Sequence, residues 1–131
     1  MKTSIPVLGI ILFAHGSRDP LWSKPIEAIA HLVSQASPSI TVRCAYLELM
    51  SPTLEVVVSE MVQSGTGRIR IVPMFLGVGK HAREDLPKIV RELQNAHPTI
   101  AIELMHSIGE HPDVMATIAA VVTKSASTKS L

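Results

Sequence analysis

Four short apolar runs, each followed by a segment of helical periodicity, constrain this 131-residue chain more than any other feature. VLGIILFA (7–14), TVRCAYLEL (41–49), RIRIVPMFL (68–76) and TIAIELM (99–105) are rich in β-branched residues and bounded by turn formers. Near-continuous apolar runs of this length are how strands buried on both faces read. Between them the apolar spacing changes to three and four. Ile26, Ile29, Ala30, Leu32 and Val33 mark a helix from Asp19-Pro20 to Ala36, with Pro20 suited to a first turn. Ser51-Pro52 opens a second helix through LEVVVSEMVQ, closed by Gly65 and Gly67. A third spans about Ala82 to Asn95, with Leu86, Ile89, Val90 and Leu93 on one face, and PDVMATIAAVVTK (112–124) is the last.

Strict alternation of strand and helix predicts an α/β fold: a four-stranded parallel sheet, order 2-1-3-4, flanked by helices on both faces through right-handed crossovers. Residues 1–124 are expected to form one domain, and the Ser/Thr/Lys-rich stretch 125–131 a disordered tail.

Composition excludes several function classes. Aromatics are 3% of the chain and the formal net charge is +1, with acids and bases intermixed, so no footprint for nucleic acid exists. Cys44 is the single cysteine, which excludes a disulfide framework or a CxxC site and fits a reducing compartment. Lys2 before an apolar run faintly echoes a secretory signal, but the run leads into HGSRDP without a small-residue cleavage site. No stretch approaches a membrane span. The expectation is a soluble cytoplasmic protein.

In an open parallel sheet, ligands bind beyond the carboxyl ends of the strands. His15 follows the first strand, Glu48 ends the second and His81 follows the third, at equal intervals of 33 residues, which suggests equivalent places on one rim. Two imidazoles and a carboxylate there suit a borderline divalent ion such as Co²⁺, Ni²⁺, Fe²⁺ or Zn²⁺. They suit proton transfer near neutral pH equally well. Each also has a plainer reading: His15 as a surface residue after a strand, Glu48 as an acceptor for the next helix, His81 as a solvated helix start. His106 and His111 flank the fourth strand-end loop, whereas His31 and His97 belong to helices. Arg18, Lys80 and Arg83 stand beside the rim, available to an anion or simply solvated. No Walker A or GxGxxG pattern points to ATP or a dinucleotide.

FAHGSRDP, AYLELMSPTLE, IVPMFLGVGKHAREDLP and IGEHP, in that order, resemble the short sirohydrochlorin cobaltochelatases of the class II, ATP-independent tetrapyrrole chelatase family. The resemblance covers nearly the whole chain. It implies insertion of a divalent metal, Co²⁺ with Ni²⁺ or Fe²⁺ as alternatives, into sirohydrochlorin, in cobalamin or related tetrapyrrole biosynthesis. No cofactor is implied beyond that substrate ion. His15 and His81 match the family's catalytic histidines, and Glu48 the carboxylate that joins them around the metal. Ser17 and Arg18 are expected near the peripheral carboxylates of the ring, together with helix N-termini. One chain has the length of one lobe of the long family members, so a homodimer is expected. Three rival readings remain at this point, one of them a purely structural dimerisation module. H-G-S-R is similar to the H-G-x-R core of histidine phosphatases, although Ala14 stands where they carry arginine. A metal or tetrapyrrole carrier would need the same ligands without turnover.

Overall fold

The structure, a computed structural model, describes residues 6–127. Four strands, β1 (Leu8–Ala14), β2 (Thr41–Tyr46), β3 (Arg68–Pro73) and β4 (Ala101–Leu104), alternate with helices α1 (Lys24–Ala36), α2 (Leu54–Gln63), α3 (Lys80–Ala96) and α4 (Pro112–Ser127). A single 3-10 turn, Ile108–Glu110, precedes α4. All pairings are parallel and the order is β2-β1-β3-β4, as the alternation predicted.

Crossover handedness dictates the layers. From β1 the chain steps one way to β2, then back past β1 to β3 and on to β4, so right-handed connections put α1 on one face and α2 and α3 on the other. The contacts agree. Ile11, Phe13, Ala45, Ile69, Ile71 and Ile102 point to the α2–α3 face and pack with Leu54, Val57, Val58, Met61, Leu86, Val90 and Leu93. On the opposite face the Cys44 thiol lies 3.9 Å from the Ile26 carbonyl of α1. The reversal of direction falls between β1 and β3, which is where a crevice opens at the strand ends.

Several element ends differ from the sequence reading, each for a local reason. Asp19-Pro20 starts a turn rather than a helix: the Asp19 carboxylate accepts the Leu21 N–H at 2.9 Å and its carbonyl accepts that of Trp22 at 3.0 Å. α1 begins only at Lys24, with Pro25 in its first turn. β2 stops at Tyr46 because the chain turns sharply through Leu49, whose φ is 68°. β3 stops at Pro73, where its pairing with β1 ends. α3 begins at Lys80, two residues before the expected start, with Gly79 as its cap. α4 runs to Ser127, so three residues of the expected tail are helical, and 128–131 lie outside the described residues. Among the described residues no helix is long and apolar enough to cross a membrane.

Where α1 does not reach, the second face carries charge. Glu103 on β4 takes Arg70 Nε at 3.1 Å and Arg68 at 3.2 Å, and these hydrogen bonds, Arg70's foremost, hold its carboxyl below the usual glutamate range. A depressed folded-state pKa contributes stability above the unfolded value, about 4.3, that is lost as pH falls through the lower folded one. Solvent screens this half-exposed pair, so Glu103→Gln should cost under about 1 kcal/mol at pH 7. In urea unfolding the difference from wild type should persist down to about pH 5, shrink in high salt, and vanish in strong acid.

Candidate functional site

The site grows from the end of the central strand. β1 and β2 pair through Ala14 opposite Tyr46, and the ladder continues into the loops: Leu47 N–H donates to the Ala14 carbonyl at 2.9 Å and Glu48 N–H to that of His15 at 3.1 Å. Pairing beyond the strand proper therefore clamps the two loops side by side. Gly16 makes this possible. Its φ is 101°, and a Cβ there would collide with the Glu48 carbonyl oxygen. Only glycine tolerates both conditions. Behind the loops, Trp22 packs edge-on against buried Tyr46, ring centroids 6.3 Å apart, and burial pushes the Tyr46 phenol up.

So held, His15 Nε2 and Glu48 Oε1 are 3.0 Å apart, both side chains about half exposed. That is ion-pair distance. It is also the separation of two donors each about 2.1 Å from a metal ion and at right angles about it. Holding a divalent ion between them therefore requires little movement of either side chain.

His81 stands elsewhere. The equal intervals of 33 do not give equivalent places: His15 and Glu48 follow their strands almost at once, whereas His81 lies beyond the loop 74–79, in the first turn of α3. Residues 74–79 intervene before the helix, so His81 comes from α3 and lines, together with His15, a cavity of about 350 Å³. The walls are otherwise mostly apolar, with Leu47, Phe75, Val78, Leu86 and Ile89 among them. Among the described residues, no three histidine, cysteine or acidic side chains are placed together to hold a metal ion. The candidates thus form a close pair, His15–Glu48, and a third group, His81, that shares a cavity with His15.

Ser17 and Arg18 do not line this cavity. The Ser17 hydroxyl accepts the Asp19 N–H at 3.1 Å, and Arg18 is exposed. His106 and His111 belong to a second open cavity, of about 460 Å³, shared with Arg70, Val72 and Met105. His111 Nδ1 there accepts the Asp113 N–H at 3.1 Å and so serves the start of α4. Sequence reasoning missed Asp85, which lines the first cavity with both histidines. The signal was present in HAREDLP, where it stands four residues after His81.

Comparison with known proteins settles the family. A family model described as CbiX matches residues 9–125. The chain belongs to the CbiX family. It is similar to the sirohydrochlorin cobaltochelatase of Methanopyrus kandleri, 34% identical over 64% of this chain and 59% of that protein. The Methanosarcina acetivorans protein of the same name is 34% identical over 63% of this chain and 64% of its own length. The matches thus span somewhat under two-thirds of these relatives. Among solved structures, a cobalamin (vitamin B12) biosynthesis CbiX protein from Marinobacter aquaeolei superposes with a TM-score of 0.81 at 32% identity, covering 92% of this chain and 98% of that one. The sirohydrochlorin chelatase SirB of Bacillus subtilis subspecies spizizenii, in complex with cobalt, gives 0.69 at 26% identity over 89% of this CbiX chain but only 50% of SirB.

Gly16→Ala tests the clamp. Left-handed backbone and the collision with Glu48 together should destabilise the fold by roughly 1–3 kcal/mol in urea unfolding. The same change should separate His15 from Glu48, visible as altered imidazole shifts in NMR spectra of the variant.

Proposed function

We propose that this CbiX protein is a sirohydrochlorin chelatase, inserting a divalent metal into the ring without ATP. The observation that carries the reading is the 3.0 Å His15–Glu48 pair, with His15 and His81 lining one mostly apolar cavity. The names of the similar proteins, cobaltochelatases and a cobalt-bound chelatase, favour the same chemistry.

Insertion requires that the ion shed water and that the macrocycle lose two pyrrole N–H protons. His15 and Glu48 receive the ion as paired donors, and His81, with His15, accepts protons. Imidazole is the side chain whose ordinary pKa lies closest to neutrality, so it takes up and returns protons at working pH. The apolar walls, Leu47, Phe75, Val78 and Ile89, cover one face of the flat ring. A permanent three-donor cage would retain the metal, whereas a pair of donors on an open wall releases it to four pyrrole nitrogens. The metal is Co²⁺ in this reading, with Ni²⁺ and Fe²⁺ served by the same N and O donors. Ser17 and Arg18, outside the cavity, would meet only the ring's peripheral carboxylates.

The protein acts as a homodimer in the cytoplasm. Two facts support this: the chain matches one half of SirB, and α4 leaves Met115, Ile118, Val121 and Val122 exposed, an apolar stripe that a second copy would cover. The half-buried free thiol of Cys44 accords with a reducing compartment.

Anaerobic mixing with sirohydrochlorin and Co²⁺, followed by absorbance, should show many turnovers per site. His15→Ala and His81→Ala should each slow insertion by about 100-fold or more while melting like wild type. Binding of ring or metal with no acceleration over buffer would replace the enzyme by a carrier. In sedimentation equilibrium the wild-type mass should be twice that of the chain.

A further inference from the structure

The loop from β3 to α3 supplies Phe75, Gly77, Val78 and Gly79 to the wall of the cavity that His15 and His81 share, and it delivers His81 itself. It has few attachments of its own. Met74 N–H still reaches the Phe13 carbonyl at 2.7 Å, prolonging the β3–β1 pairing, and α3 takes over at Lys80. Around Gly77 and Gly79 nothing lies within 4 Å of where a Cβ would stand. Among the described residues, one hydrogen bond ties residues 75–78 to another segment: the Gly109 N–H donates to the Phe75 carbonyl at 3.0 Å.

Gly109 is buried in the 3-10 turn that follows β4. A Cβ added there would stand 2.7 Å from the Leu76 carbonyl carbon and closer still to its oxygen, distances that real Cβ atoms do not adopt. The obstacle is backbone, which cannot swing aside as the end of a side chain can. Backbone conformation does not ask for glycine at this position, since the glycines with positive φ are Gly16 and Gly65. What the missing side chain provides is room, and it lets two loops from adjacent strands close on each other. The β3–β4 ladder leads into the contact, because Met105 N–H continues it onto the Ile71 carbonyl at 2.9 Å.

We infer that Gly109 is a positioning residue for metal insertion: its contact with the Phe75 and Leu76 backbone fixes the 74–79 loop, and through that loop the apolar wall and the approach of His81. It touches neither ring nor metal. The fourth strand-end loop thereby governs a cavity that none of residues 105–111 lines. A side chain at position 109 pushes the 74–79 loop by on the order of 1 Å before ordinary contact, near about 3.5 Å, is restored. A misplacement of about 1 Å arising far from the chemistry costs an enzyme up to roughly 100-fold in rate. The inference rests on the chelatase reading for its kinetic consequence, whereas the contact itself is tested without it.

Gly109→Ala is compared with wild type and with Gly65→Ala. Gly65, in the turn after α2, has a φ of 92° and nothing within 4 Å of a Cβ, so alanine there strains the backbone without pushing on another segment. Both variants should melt below wild type and are assayed where both are folded. In Gly109→Ala the NMR signals of the His81 imidazole and the Val78 methyls should shift, and in Gly65→Ala they should not. The kcat/KM for sirohydrochlorin, measured with Co²⁺, should fall by about tenfold or more in Gly109→Ala and stay within about twofold in Gly65→Ala. Amide exchange in wild type gives a reading that needs no variant: the Gly109 N–H should exchange as slowly as the ladder amide of Met105, and this decides the contact if Gly109→Ala does not fold. Unmoved His81 and Val78 signals, a kinetic loss no larger than that of Gly65→Ala, or rapid exchange at Gly109 would overturn the positioning role. If wild type inserts no metal while the signals shift and the amide is protected, the chelatase reading falls and the contact stands.

Discussion

The site depends on one stretch of backbone pairing. β1 is hydrogen-bonded on both sides, to β2 and to β3, and its ladder to β2 runs two bonds past the end of the strand into the loops. Those bonds, from Leu47 and Glu48, hold the segment after β2 against the segment after β1. Gly16, in a left-handed conformation with no room for a side chain, lets the two backbones close. Everything chemical follows from this contact, because it fixes the His15 and Glu48 side chains at ion-pair distance without requiring either to be buried. Half-exposed donors remain able to exchange a proton for a cation, which a desolvated pair would resist.

The second determinant is the delay of α3. Through residues 74–79 the chain leaves the sheet without regular structure, and only then does Gly79 start the helix. This carries His81 off the strand ends and into the first turn of α3, where it lines a cavity with His15. The intervening volume is lined by apolar side chains from the loops and from α3, while α3 itself is anchored below by Leu86, Val90 and Leu93 in the core. Rigid support on one side and an open cavity on the other bring His81 and Asp85 to the cavity that His15 also lines.

Much of the architecture was legible in the chain before folding. β-branched runs and helical spacing depend on local side-chain sterics and on which residues must leave water, and both are written residue by residue. Handedness of crossovers then limits the topologies to a few, and the expected order 2-1-3-4 is the one the sheet adopts. Element ends were less legible. Asp19-Pro20 has the marks of a helix start but makes a turn, because the aspartate satisfies the next backbone N–H groups locally. The ends of β2 and β3 depend on where a neighbouring strand stops, which no local pattern contains.

His15, Glu48 and His81 could be singled out from sequence because histidine and glutamate at strand ends are chemically conspicuous and their motifs are distinctive. How they are disposed could not. A 33-residue interval counts peptide bonds, whereas distance depends on where each loop hands over to its helix. Ladder bonds beyond β1 and β2 brought His15 and Glu48 to 3.0 Å, and the loop 74–79 moved His81 into the first turn of α3. The sequence by itself determined the alternating elements, the parallel sheet and the donor types, since these follow from local periodicity and side-chain chemistry. Tertiary structure alone decided which donors pair, which share a cavity, and that Asp85 joins them, since those relations arise from backbone pairing between segments distant in the chain.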